Sequence, residues 1–160
     1  SGMLASGELD AVMGPRAPSC FDRGHPHVGY LYADPQQAAS DWYRRTGIFP
    51  IMHLLGIRKT LVERHPWLPF SVYQAFEQSK TLALAKLSDT AATKVTLPFV
   101  EDQLQAARKL MGDDFWSYGF EPNRRTLERF LRQHHAEGLS CRPLTPEELF
   151  HPATLESFKI

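Results

Sequence analysis

Two adjacent arginines and a nearby histidine make residues 42–53, WYRRTGIFPIMH, the part of this chain best suited to chemistry. Arg44 and Arg45 carry planar guanidinium groups that bind carboxylates through paired hydrogen bonds. Gly47 favours a turn after them, and His53 follows within an apolar stretch. Polar groups gathered where a loop meets a strand are a common position for bound ligands. The segment therefore predicts a site for a small carboxylate.

The elements that must position this segment are predicted to be helices and two strands. Apolar runs at residues 9–13 (LDAVM) and 51–58 (IMHLLGIR) are typical of buried strands. Two strands do not form a stable sheet alone. They need partners from missing sequence, from a second copy of the chain, or from strands that the pattern does not reveal. The predicted class is α/β, helix-rich with few strands, and part of a larger protein.

Capping residues and apolar spacing indicate the helices. Asp34 before Pro35 predicts a helix through about Arg44, and Asn123 is predicted to cap another that ends at Gly138. Thr145 with Glu148 forms a capping box for a short helix at residues 146–150. Helices are also predicted at residues 59–65, 69–87 and 98–111. The inner face of the longest is predicted to be Val72, Phe76, Ser79, Ala83 and Leu87.

The first residues are unusual for the start of a natural chain. Ser1 and Gly2 resemble a cloning remnant, and residues 3–6 have the pattern of a last helical turn capped by Gly7. A chain that opens on the end of a helix is expected to be part of something longer. We found no internal repeat or linker, so residues 1–160 are predicted to be one domain.

Composition excludes several classes of partner. Eighteen basic and eighteen acidic residues give zero net charge, so no basic field favours nucleic acid. No run of about 18 apolar residues predicts a transmembrane helix, and no charged-then-apolar leader opens the chain. Cys20 and Cys141 lack metal-type spacing, which favours free buried thiols over the alternative of a disulfide.

The histidine pairs give little indication of a metal site. His25 and His27 flank a proline in a loop, but no third ligand has suitable spacing. His134 and His135 are adjacent on a helix, so their side chains point in different directions. We predict no metal ligands, although a divalent ion as a cofactor stays open.

Long motifs with rare residues resemble the C-terminal half of 4,5-dihydroxyphthalate decarboxylases. The similarity runs from about Leu4 to about Leu155. That family is in turn similar to type II periplasmic solute-binding proteins, which have two α/β lobes and a ligand cleft between them. The first-lobe strands of the family are absent from this chain. The motifs are GELDAVMG-x-R-x-PSCF, DWYRRTGIFPIMH, LVERHPW and MGDDFW-x-YG-x-EPNR.

The resemblance implies a reaction in which a ring carboxylate is replaced by a proton, giving protocatechuate. The hydroxyl para to the departing group pushes electrons into the ring, and an acid protonates the ring carbon. Arginines must hold the carboxylates, a polar group must hold the catechol, and an acid must deliver the proton. This chemistry requires no redox cofactor. A divalent metal on the catechol oxygens is an alternative.

Under this resemblance, His53 is the candidate acid, because histidine holds and releases a proton near neutral pH. The alternative is a core histidine bonded to the backbone. Arg16 follows the first predicted strand, where doubly wound sheets bind ligands. The candidate substrate-binding residues are Arg16, Ser19, Arg45, Thr46, Tyr118 and Arg124. For the arginines the alternative is a surface ion pair or a cation at a helix end. For Ser19 and Thr46 it is a turn or a helix end, and for Tyr118 it is packing of the aromatic ring.

Three functional hypotheses remain open at this stage. The first is a carboxy-lyase, expected in the cytoplasm, that acts on a small aromatic carboxylate. The second is a solute-binding-like protein for such an acid, expected in the periplasm, that performs no chemistry. The third is a truncated homologue without a complete site, stable as a swapped or paired dimer. As a separate prediction about partners, a homodimer would complete the cleft. An acid placed over the reacting carbon would separate the first two, and His53 is the residue that tests it.

Overall fold

The computed structural model describes residues 1–91 and 95–155. The chain divides into two compact units, Ser1–Thr46 and Gly47–Ile160. Helices and 3-10 turns are the regular elements throughout the described residues, which contain no β-strand. The α/β class stays a prediction. So does the single domain over residues 1–160, of which the last five residues lie outside the described part.

The first unit contains three helices: α1 (Gly2–Ser6), α2 (Ser19–Asp22) and α3 (Pro35–Thr46). Helix α1 packs against α2, and Cys20 on α2 is buried. As predicted, Gly7 caps α1 in the left-handed conformation. The carboxylate of Asp34 accepts a hydrogen bond of 2.9 Å from the Gln37 N–H, which confirms the predicted N-cap of α3.

The described part of the second unit contains the helices α4 (Lys59–Arg64), α5 (Leu68–Ser88), α6 (Val100–Met111) and α7 (Arg124–Ala136). Three 3-10 turns accompany them, at Glu121–Asn123, Pro146–Leu149 and Pro152–Thr154. Helix α7 packs against the first two turns and α5 against the third. The buried apolar side chains in the described part of this unit include Leu104, Phe120, Leu127 and Leu131.

Both predicted strands are wrong as regular elements. Residues 9–13 and 51–58 are irregular, and most of their apolar side chains are exposed, including Met13 and Leu54. A strand becomes stable through hydrogen bonds to a neighbouring strand and through burial of its side chains. The described residues supply neither, so these apolar runs do not form a sheet here.

Two finer predictions about helices are also corrected. Asn123 does not cap α7 through its side chain, because the amide donates instead to the carbonyls of Ser117 and Gly119, at 3.1 and 2.9 Å. On α5, Phe76 is exposed, as are the predicted inner residues Ser79 and Ala83. The half-buried positions on this helix include Tyr73, Glu77, Lys80, Leu84 and Leu87.

A polar cross-link centred on Lys80 explains this orientation of α5. Only 10% of the Lys80 side chain is exposed, and its ammonium group lies 3.1 Å from carboxylate oxygens of both Glu77 and Asp114. Burial alone would lower the pKa of Lys80, but hydrogen bonds to Glu77 and Asp114 outweigh it and raise that pKa. The cross-link ties α5 to residues 113–123, which we call the aromatic loop.

The aromatic loop is also held by close packing at Gly119. This residue has a φ of +87°, and a Cβ there would lie only 2.8 Å from the Tyr73 hydroxyl oxygen. Glycine is therefore the residue that fits both the backbone conformation and the available space. Together with the Asn123 amide bonds, this contact fixes the conformation of the loop around Tyr118.

Removing the Lys80 ammonium group should destabilise the second unit. We expect Lys80→Met to lower the free energy of unfolding by about 1–3 kcal/mol, because Glu77 and Asp114 lose their shared half-buried partner. Urea unfolding of the chain measures this change. Lys86→Met, at an exposed site on the same helix, is the matched control and should have little effect. Equal losses in the two variants would contradict the cross-link.

The capping box at Pro146–Leu149 should persist into strong acid. A hydrogen bond from Arg142 and another from the Thr145 N–H lower the pKa of Glu148 from its ordinary value of 4.5 to about 2. Because the native pKa is the lower one, ionised Glu148 stabilises the fold above its ordinary pKa. That contribution is lost as the pH falls through about 2.

Carboxyl NMR titration measures this pKa directly. Arg142→Gln should move the Glu148 midpoint upward, toward 4.5, because the hydrogen bond that lowers the pKa of this carboxyl most is removed. Arg132→Gln, at an exposed position on α7, serves as the control for a general loss of positive charge. A midpoint near 4.5 in the unsubstituted chain would show that the capping box does not hold the carboxylate.

Candidate functional site

The first unit contains four of the predicted substrate-binding residues. Arg16 is exposed in an irregular loop, and its side chain forms no hydrogen bond or ion pair with the residues that the structure describes. Ser19, also exposed, shares a hydrogen bond of 2.9 Å with the hydroxyl of Ser1. The hydroxyl of Thr46 donates to the Trp42 carbonyl at 2.8 Å, within α3. Thr46 therefore forms a hydrogen bond within its own helix, as expected for the alternative in which it is part of a helix end.

The two adjacent arginines at the end of α3 have different environments. Arg44 forms an ion pair of 2.7 Å with Asp41 one turn earlier. Hydrogen bonds from Gln37 and Arg44 lower the pKa of Asp41, and the nearby charge of Arg45 contributes more weakly. The structure describes no hydrogen bond for the exposed Arg45 guanidinium. Of these two arginines, Arg45 is thus the better placed to donate hydrogen bonds to an external carboxylate.

The second unit contains the other three candidates: His53, Tyr118 and Arg124. His53 is exposed within the irregular residues 49–57, and no described residue forms a hydrogen bond with its ring. Tyr118 is half-buried in the aromatic loop, and the Lys80 ammonium lies 4.9 Å from the centre of its ring. Within the described structure, no hydrogen bond, ion pair or ring contact joins any two of these three candidates.

A ring contact brings the segment with His53 to the aromatic loop. Phe49 and Trp116 have their ring centroids 5.6 Å apart. Phe49 lies four residues before His53, and Trp116 lies two residues before Tyr118. The two segments therefore meet within the second unit, although their candidate side chains do not touch.

Arg124 is occupied by the protein's own carboxylates. Its guanidinium donates to both oxygens of Glu121, at 2.7 and 3.3 Å, and to a carboxylate oxygen of Glu147. The hydrogen bonds to Glu121 and then Glu147 raise the pKa of Arg124. The same side chain also covers the Phe120 ring, at 4.6 Å from its centre. A substrate carboxylate would have to displace a glutamate to bind here.

Lys80, Glu77 and Asp114 form a charged cluster around a largely buried ammonium group, and this cluster was not predicted from the sequence. The spacing of Glu77 and Lys80, three residues apart on one helix, is a local signal for an ion pair. The partner from the aromatic loop, Asp114, is 34 residues away in sequence, and no local pattern predicts that contact. The Lys80 ammonium is already paired with the carboxylates of Glu77 and Asp114. The cluster therefore positions the Tyr118 ring and does not offer a free cation to a ligand.

Metal-binding groups are not clustered in the described part of the chain. No three residues of the types His, Cys, Asp or Glu lie there in an arrangement that would hold a metal ion. The His25 Nδ1 atom accepts a hydrogen bond of 3.4 Å from the His27 N–H. Cys20 and Cys141 are both free thiols, as predicted; Cys20 is buried, but the predicted burial of Cys141 is wrong, because its side chain is exposed.

No helix in the described residues combines the length and the apolar character needed to cross a membrane. The longest helix, α5, spans 21 residues but includes Glu77, Lys80 and Lys86.

Comparison with known proteins gives a clear relationship. No family model matches the chain. It is 68% identical over all 160 residues to the 4,5-dihydroxyphthalate decarboxylase of Comamonas testosteroni, of which the alignment covers 48%. It is also 84% identical over 44 residues to the protein of the same name from Pseudomonas putida, covering 28% of this chain and 17% of that protein.

The extent of the Comamonas testosteroni alignment matters as much as its identity. Every residue of this chain is included, so the relationship does not depend on one shared motif. The chain spans about half the length of that relative. The resemblance carried by the motifs is confirmed: over its full length, the chain is similar in sequence to a curated 4,5-dihydroxyphthalate decarboxylase.

Proposed function

We propose that this chain is the C-terminal half of a 4,5-dihydroxyphthalate decarboxylase. The observation that carries the proposal is the 68% identity over all 160 residues to the Comamonas testosteroni protein of that name. The C-terminal placement follows from the motifs that resemble that half of the family. The complete protein would have the two α/β lobes of a type II periplasmic solute-binding-like fold, with the substrate between them.

The proposed reaction conserves electrons and exchanges carbon dioxide for a proton. The hydroxyl para to the departing carboxylate donates electron density into the ring, and an acid adds a proton to the carbon that bears that carboxylate. The carbon–carbon bond then breaks, its electrons restore the aromatic ring, and carbon dioxide leaves. Protocatechuate is the product. The protein must bind two carboxylates, hold the catechol and deliver one proton.

In this proposal the side chains that are not bound by other protein groups take the substrate. Arg16 and Arg45 are exposed, and their guanidinium groups suit the two carboxylates. The half-buried Tyr118, positioned by Lys80, holds a catechol oxygen through its hydroxyl. His53 delivers the proton. Ser19, Thr46 and Arg124 have partners within the protein and would contribute only after those contacts rearrange.

The proposed compartment is the cytoplasm, where small aromatic acids are degraded after uptake. A divalent ion on the catechol oxygens is a compatible addition to the chemistry, so the assay includes it as a variable. No nucleic acid partner is proposed, because the net charge of the chain is zero.

The first test is carbon dioxide release from 4,5-dihydroxyphthalate, with and without divalent metal. The protein to use is a chimera in which these 160 residues replace the matching residues of the Comamonas testosteroni decarboxylase. We expect the chimera to release carbon dioxide and form protocatechuate, and the 160-residue chain alone to be inactive. Phthalate, which lacks the hydroxyl groups, is the substrate control and should not react.

Binding without turnover would overturn the proposal. A chimera that folds and binds 4,5-dihydroxyphthalate, but releases no carbon dioxide while the complete relative does, would indicate a solute-binding protein. Turnover by the 160-residue chain alone would show instead that this half, alone or as a homodimer, carries the whole site.

The acid assigned to His53 can be tested separately from binding. In the chimera, we expect His53→Ala to lower kcat by about 10²–10⁴-fold, because general acid catalysis contributes that much. The dissociation constant of the substrate should change only a few-fold. His65→Ala, at another exposed position of the second unit, is the matched control. Unchanged turnover, or equal losses of binding and turnover, would exclude His53 as the acid.

A further inference from the structure

Phe49 and Trp116 form an aromatic corner on the second unit. Their ring centroids lie 5.6 Å apart, and the planes of the two rings are inclined by 60°. Rings at this angle do not stack face to face, so the pair leaves much of its ring surface uncovered. The exposed fractions agree, at 38% for Phe49 and 43% for Trp116. The aromatic corner therefore offers ring surface to a further partner.

The backbone on both sides of Trp116 is held in place. Asp114, two residues earlier, accepts a hydrogen bond of 3.1 Å from the Lys80 ammonium group. The carbonyl of Ser117, the next residue, accepts a hydrogen bond of 3.1 Å from the side-chain amide of Asn123. The indole itself rotates about only two side-chain bonds, so it loses little conformational entropy when it binds a ligand. Trp116 is thus a preorganised contact surface.

The aromatic corner joins the two segments that carry the candidate acid and the candidate catechol-binding residue. Phe49 precedes His53 by four residues, and Trp116 precedes Tyr118 by two. The proposed function assigns proton delivery to His53 and the catechol contact to Tyr118, and both tasks act on atoms of one aromatic ring. A ring within reach of both segments would lie close to their junction.

We infer that Trp116, supported by Phe49, binds the aromatic ring of the substrate through its indole face. The inference rests on the proposed function, in which the substrate is a dihydroxylated benzene dicarboxylate. The other candidate residues contact the carboxylates, the hydroxyl groups and the protonated carbon, which leaves the apolar face of the ring to another group. Aromatic pairs make offset or edge-to-face contacts with centroids about 4.5–7 Å apart, and these contacts add to the gain from burial.

This contact would make Trp116 a determinant of specificity. The exposed arginines bind a carboxylate whatever ring carries it, so they do not distinguish an aromatic dicarboxylate from a saturated one. A planar ring lies flat against an indole and gains dispersion contacts over its whole face, whereas a puckered ring touches it at fewer atoms. We therefore expect a preference for planar, aromatic dicarboxylates.

Two unreactive dicarboxylates separate ring recognition from carboxylate binding. Phthalate has the planar ring, and cis-cyclohexane-1,2-dicarboxylate carries the same neighbouring carboxylates on a saturated ring. In the chimera, titration calorimetry should show that phthalate binds about 2–10-fold more tightly than the saturated compound. Trp116→Leu should remove this preference by weakening the binding of phthalate alone. Trp116→Phe, which keeps an aromatic ring, should retain most of it.

Trp67→Leu is the matched control for these variants. Trp67 is also an exposed tryptophan of the second unit in contact with another ring, because its centroid lies 5.9 Å from that of His65. The proposed site does not include Trp67. Its replacement should leave the affinities for both dicarboxylates unchanged.

The other outcomes of this titration overturn the inference. Equal weakening of both dicarboxylates by Trp116→Leu would mean that Trp116 only supports the fold of the site. Unchanged affinities would mean that the ring does not touch it, and a chimera without any preference, or without binding of either compound, would have no ring site. By contrast, a preference that Trp116→Leu removes, in a chimera that releases no carbon dioxide from 4,5-dihydroxyphthalate, would overturn the proposed function alone.

Fluorine NMR gives a readout that does not depend on the affinities of variants. In a chimera that contains 5-fluorotryptophan, the Trp116 resonance is the one that Trp116→Phe removes. Phthalate should shift this resonance, because the ring current of a bound aromatic ring acts on the indole, and the saturated dicarboxylate should shift it much less. The Trp67 resonance should not move. A Trp116 resonance that differs between the 160-residue chain and the chimera but does not respond to phthalate would show that the other half of the protein covers the indole, and would overturn the inference.

Discussion

A β-strand is stable only when another strand satisfies its backbone groups, and this constraint governs what the chain can form alone. A helix satisfies its own hydrogen bonds within one segment, so α5 and α7 form wherever their residues permit. Residues 49–57 and 9–13 have no such local solution. The described structure is consequently helical, with its strand-like sequences left irregular and largely exposed. What the described residues do not supply is a partner strand from a distant part of the sequence.

The same constraint separates what the sequence could predict from what it could not. Helix positions depend on signals within a few residues, such as Asp34 before Pro35 or Thr145 paired with Glu148, and the structure confirms these. The face of α5 was predicted less well. Apolar spacing favoured Phe76, but the helix turns Lys80 inward because Asp114, far away in sequence, accepts its hydrogen bond. Asn123 likewise binds two loop carbonyls and does not cap a helix.

Residue types alone indicated the carboxylate-binding chemistry, but not which cations remain available for it. Arg16, Arg45 and Arg124 are equivalent candidates in the sequence. In the structure, Arg124 is held by Glu121 and Glu147, and Lys80 by two further acidic groups. The pairings with Glu147 and Asp114 depend on tertiary packing, which no spacing rule reveals, whereas Glu121 and Glu77 lie three residues from their partners. The motif that contains Arg124 carried the resemblance to the family without identifying a free cation.

Charge balance gives this distinction a physical meaning. The chain has equal numbers of acidic and basic residues, so an anionic substrate gains nothing from the net charge. Binding must come from particular cations that the protein's own carboxylates leave unoccupied. Arg44 and Arg124 have glutamate or aspartate partners, whereas Arg16 and Arg45 have no described ion pair. An exposed guanidinium without a described ion pair is therefore the kind of group that the proposed dicarboxylate would bind. Arg44 and Arg124 would first have to release their own acidic partners.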